Sequence, residues 1–169
     1  MGTKLRRKGN QHGSGQALIE FALVLPLLLL LIINVVNFGG LLYAWVTVAN
    51  ATRTGAQRLM MGGAYAHFPS PPSLSAVATL VTEDLISLPN RATALVKVCK
   101  NNSGTTTCSG SGGTAPPADP ETSFVLGSVD VTYTYQPFIS FCSFPKLGIY
   151  MTLGTTTVHR QAVMRLAGG

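Results

Sequence analysis

The chain has 169 residues, of which 11% are charged and 46% hydrophobic, with a formal net charge of +6. Charge this far below the usual quarter fits a membrane-anchored or polymer-forming protein, with room beyond one membrane segment for a single small domain. The basic excess does not point to nucleic acid. Four of the twelve Lys and Arg fall in the first eight positions, and beyond Gly15 eight basic and six acidic residues leave a net of +2 with no basic stripe interleaved with aromatics.

The first fifteen residues form a short basic leader carrying Lys4, Arg6, Arg7 and Lys8 and ending in Gly13-Ser14-Gly15. Lys and Arg before an apolar segment stay cytoplasmic, so the chain is expected to export its C-terminal side. Residues 21–52 carry no formal charge, and 21–46 are long enough to cross a bilayer, which needs about 20 apolar residues. Glu20 is the only charged side chain between Gly15 and Arg53. An ionisable group at the head of a membrane segment costs roughly 2–3 kcal/mol or more, which marks it as functional. Pro26 interrupts the run early, where membrane helices tolerate it. Asn34 and Asn37 share a helix face; they either bond locally or contact a neighbouring helix. Gly39-Gly40 either admits another backbone or loosens the helix.

The helical period continues past the membrane. Trp45, Val48, Ala49, Thr52, Ala56, Leu59, Met60 and Gly63 lie within about 60° of one direction, with Asn50, Arg53, Thr54, Gln57 and Arg58 opposite. One helix over 16–61, roughly 70 Å long, is predicted, and its amphipathic second half must pack on the downstream domain, 62–169. Gly62-Gly63 and the Pro-rich run 69–72 break it. Ser73 or Ser70 caps a second helix whose apolar face is Leu74, Val77, Val81, Leu85 and Leu88, ending at Pro89. The period then changes to two. Strands are predicted over 93–99, over 128–135 with Val129, Val131, Tyr133 and Tyr135 on one face, and over 155–166, where Arg160 breaks an apolar face near an edge. Residues 100–123, rich in Asn, Ser, Gly, Thr and Pro, are expected to be a flexible exposed loop. The aromatic stretch 138–144 either plugs the sheet against the helix or faces a partner. The fold class is α+β: a long transmembrane and amphipathic helix on an antiparallel sheet of about three strands.

The stretch Gly-Gln-Ala-Leu-Ile-Glu-Phe-Ala-Leu-Val-Leu-Pro, followed by a leucine run, resembles the N-terminal domain of the TadE-like family, the minor pilins or pseudopilins of the tight adherence (Tad, Flp) pilus system. The final strand, from Thr155-Thr-Thr-Val-His-Arg, resembles the family's closing strand. Related type II secretion pseudopilins and type IVa pilins typically read Phe-Thr-Leu-Ile-Glu at this junction, and Gln16 and Pro26 favour the Tad branch. The resemblance implies a pilin-like fold and a class III signal. A prepilin peptidase would cut between Gly15 and Gln16, and the freed amine of one subunit would pair with Glu20 of a neighbour. It also implies a non-enzymatic, single-pass bacterial inner-membrane subunit that supports assembly, initiation or the tip of an adhesive pilus. Its partners would be other pilin subunits and the assembly platform. Two alternatives stay open: an unprocessed single-span envelope protein, and a secreted protein with a conventional signal peptide cut at Ala49-Asn-Ala51, which fits the long uncharged run badly.

The remaining candidates point away from catalysis, cofactor or metal. His12, His67 and His159 share no ligand spacing with one another or with the cysteines. Ser109-Gly-Ser-Gly-Gly lacks the strand and helix of a phosphate loop. Glu83 and Asp84 are adjacent on a helix, so their carboxylates diverge. Cys99, Cys108 and Cys142 all fall on the expected exported side, where three pairings are possible. A Cys99–Cys108 bridge would close a short loop and stabilise by about 2–3 kcal/mol; free thiols or a bond to Cys142 are the alternatives.

Overall fold

The computed structural model describes residues 13–61, 72–121, 124–140, 143–144, 149–150 and 152–167. Helix α1, Gly13–Met60, runs unbroken through Pro26. Helix α2, Leu74–Asp84, starts at Ser73, whose Oγ accepts from the Ala76 N–H at 3.2 Å. It ends earlier than the apolar spacing predicts. Leu85 and Leu88 are buried, but in tight turns that lead to Pro89.

Among the described residues six strands follow: β1 Leu95–Asn102, β2 Thr105–Gly110, β3 Phe124–Tyr135, β4 Ser143–Phe144, β5 Ile149–Tyr150 and β6 Thr156–Ala167. Four of them form an antiparallel sheet in the order β2-β1-β3-β6, and β4 pairs with β5 separately. The expected sheet of about three strands therefore gains a fourth, β2, inside the segment predicted as a loop. The cause is local. Ser103 and Gly104 both take positive φ, 48° and 92°, as a two-residue hairpin turn demands. β2 then pairs with β1 from Asn102↔Thr105 to Lys97↔Gly110. β2 is an exposed edge strand of Thr, Ser and Cys, so it carries no apolar alternation for a sequence pattern to detect.

The inner face of the sheet is set by register. Val98 lies opposite Val129, Val129 opposite Ala162, and Tyr133 opposite Val158. With Val96 and Val131 these side chains pack against α1 and α2 and form the core. The stripe α1 presents is rotated from the predicted one. Ala44, Val48, Ala51, Thr52, Gly55, Ala56 and Leu59 are buried, whereas Trp45 is 46% and Met60 43% exposed; Gly63 lies outside the described residues. Small residues explain the rotation. A Cβ on Gly55 would stand 2.4 Å from a Val81 methyl, so α2 can approach only where α1 offers Gly and Ala.

The outer face is not open either. Residues 111–121 cross it as a strap. Lys97 Nζ donates to the Gly113 carbonyl at 3.3 Å, Asn101 Nδ2 to that of Pro116 at 3.0 Å, and Arg165 pairs with Asp119 at 2.8 Å. Ser128 and Asp130, placed by alternation on the polar face, are buried beneath the strap.

Candidate functional site

The leader residues Lys4, Arg6, Arg7 and Lys8 lie outside the described residues, as do His12, His67 and Cys142. The site begins at Gly15, where a Cβ would meet nothing within 4 Å. One helical turn on, Gln16 Nε2 donates to Glu20 Oε1 at 3.4 Å, and both side chains are exposed. Beyond them the helix is bare. Through Val36 no residue is buried, and Leu18, Leu23 and Leu27 are among the most exposed apolar side chains. Residues 15–36 rise roughly 33 Å, close to the thickness of a hydrocarbon core. This is the one helix among the described residues that is long and apolar enough to cross a membrane.

Cover starts abruptly at Asn37, which is 0% exposed. Its Nδ2 donates to the Ile139 carbonyl at 2.7 Å, and its Oδ1 accepts from the Ile139 N–H at 3.1 Å. The Tyr135 hydroxyl donates to the Asn37 carbonyl at 2.8 Å. One turn later a Cβ on Gly40 would collide with Phe138 and the Tyr135 hydroxyl. Residues 135–139 thus clasp the helix at its neck, and Phe138 meets Tyr135 edge-on at 6.4 Å. Burial pushes the Tyr135 phenol above its ordinary value, and burial followed by the neighbouring Tyr135 does the same to Tyr133. Both hydroxyls therefore stay protonated as donors, that of Tyr133 to the Pro89 carbonyl.

Asn34 and Asn37, which share a helix face, part company at this neck. Asn34 Nδ2 donates to Leu30 O within the helix at 2.9 Å, while Asn37 holds a segment 102 residues away. Gly39 and Gly40 also part company: Gly39 faces open space and Gly40 faces the clasp. Sequence spacing missed the clasp because a two-way amide–backbone bond leaves no periodic signal.

Residues 15–57 match the family model of TadE-like proteins. No curated protein and no solved structure matches the chain. The TadE-like match covers about a quarter of the sequence and takes in the head, the bare stretch and the neck, but not the sheet. The matched residues lie on the long helix, most of them apolar.

Elsewhere the chemistry is structural. Cys99 and Cys108 sit opposite each other on β1 and β2 and are joined as a disulfide. His159 Nε2 bonds both oxygens of buried Asp130 at 3.0 and 2.9 Å, beneath the strap. Ser109 and Gly110 close β2, and the glycines after them open the strap. Glu83 and Asp84 are exposed on α2. Among the described residues no three His, Cys, Asp or Glu gather as a metal site.

Proposed function

We propose that the protein is a membrane-anchored, non-enzymatic minor pilin or pseudopilin of a Tad-type system, acting in the assembly, initiation or tip of an adhesive pilus. The observation that carries this is the head of α1: a sterically open glycine, an exposed Glu20 five residues on, and an uncovered apolar helix beyond. Cleavage after Gly15 by a prepilin peptidase on the cytoplasmic side frees an amine at Gln16. In hydrocarbon the Glu20 carboxylate needs a counterion, and the amine of a neighbouring subunit supplies it. The basic leader sets the N-terminus inside and the sheet domain outside.

The neck fits this placement. On its open side α1 keeps Val35, Phe38, Leu42 and Val46 exposed, while the opposite side is covered from Asn37. A tilted helix satisfies both: lipid runs further up the open side, and the clasp stays out of hydrocarbon, where its loop backbone would be costly. Leu31, Val35, Phe38, Gly39 and Leu42, with Leu153 above, line an open apolar groove suited to the helix of another pilin subunit.

The test is the mature N-terminus, read by mass spectrometry of native envelopes. The expected species begins at Gln16, and Gly15→Trp, when co-expressed with the peptidase, should retain the leader and run more slowly. An intact leader on the wild-type chain, where sibling precursors have matured, would leave an unprocessed single-span anchor. A terminus at Ala51 or Thr52 would indicate a conventional signal peptide.

A further inference from the structure

A concave pocket of about 420 Å³ opens between α1 and the edge strand β6, just above the neck. Trp45, Asn50 and Arg53 line it from the helix, and Arg160 and Gln161 from the strand; no Asp or Glu does. Arg160 is the residue that breaks the apolar face of β6. It lies opposite Val131 on the inner face, and its guanidinium stands 4.2 Å over the Trp45 ring. Its Nε is buried and finds no hydrogen-bond partner among the described residues. The Arg160 guanidinium is thus a planar cation stacked on an indole with its Nε donor unspent, and its charge meets no carboxylate in the pocket lining.

The position of the pocket selects the anion. At 100° per residue Leu42, Val46 and Arg53 lie within about 40° of one direction. Leu42 and Val46 belong to the exposed apolar stripe, and Arg53 ends it about 10 Å above Val46. Arginine stems lie along apolar surface and carry the head toward the interface, where Trp residues also settle. Where the lipid-facing stripe stops, two guanidiniums and an indole converge.

We infer that the Trp45–Arg53–Arg160 pocket binds the phosphate of a phospholipid headgroup on the face of the membrane from which the sheet domain emerges. The inference rests on the proposed anchoring of α1 in a bilayer. The phosphate oxygens accept from both guanidiniums and from the Asn50 amide. The lipid is thereby held against the α1–β6 seam and fixes the height and tilt of the domain over the bilayer.

The experiment uses the full chain in bilayers of phosphatidylcholine and phosphatidylglycerol. Flotation reads anchoring, and native mass spectrometry after release reads retained phospholipid. Wild type should float and retain lipid. Arg53→Gln and Arg160→Gln should float but retain at least about fivefold less, whereas Arg91→Gln, distant from the pocket, should match wild type. Arg53 is exposed, so its variant tests the site without disturbing the core. Trp45 is the only tryptophan; its emission should shift with phosphatidylglycerol in wild type and not in Arg53→Gln. Equal retention by all variants, or equal loss in Arg91→Gln, overturns the site. Inorganic phosphate in lipid-free detergent shifting Trp45 as far as the lipid does overturns the headgroup as its source. A chain that fails to float overturns the anchor, and the inference with it.

Discussion

One amide holds the neck of α1 to the segment that follows β3. Asn37 satisfies both backbone groups of Ile139 and lends its own carbonyl to Tyr135. Replacing it by Leu keeps the helix and the volume but strands a part-buried N–H and C=O. Each such loss costs about 1–3 kcal/mol. Asn37→Leu should therefore lower unfolding stability by about 2–3 kcal/mol in detergent-solubilised full chain and expose 136–140 to protease. An unchanged denaturation midpoint with the same cleavage pattern would contradict the clasp. The sequence signals that Asn37 is costly in an apolar run, because polarity is a property of one residue. It does not signal the partner, because the other half of the bond is backbone. Arg160 is legible in the same partial way: its clash with the β6 pattern is visible, whereas its stack on Trp45 requires the rotated helix.

Elements were legible where an apolar face meets the helices and a polar face lies opposite. β3 alternates cleanly because Val129, Val131, Tyr133 and Tyr135 all meet the helices, and α2 shows its spacing for the same reason. β2 was illegible because neither of its faces is buried; it is held by its ladder to β1 and by the Cys99–Cys108 bond. The strap was illegible because irregular chain covering a sheet has no period. At this scale the disulfide decides whether the edge stays paired. Closing a loop of about ten residues stabilises by about 2–3 kcal/mol, chiefly through the unfolded chain. The double variant Cys99→Ala, Cys108→Ala should lose about that much in denaturant unfolding, and reductant should lower wild type to the same midpoint. A reductant effect that persists in the double variant would assign the stabilisation elsewhere.

The whole molecule divides by what covers α1 rather than by where the helix ends. Among the described residues the first half, through Val36, has no buried position, and the second packs on the sheet and, at Gly55, closely against Val81 of α2. Such a molecule satisfies its lower half only in lipid or among other apolar helices. Glu20 distinguishes the two environments. In lipid alone its carboxylate is a net cost, so Glu20→Ala should insert at least as well as wild type. In the proposed pilin role it pairs with the freed Gln16 amine of a neighbouring subunit, and on that proposal its loss should cut incorporation at least about tenfold, the equivalent of ~1.4 kcal/mol. Flotation and co-purification with the assembled pilus or its assembly complex, measured on the same cells, separate the two effects. Equal incorporation of Glu20→Ala would remove the recruiting role and leave the carboxylate solvated by headgroups, whereas loss of insertion would mean that it serves topology instead.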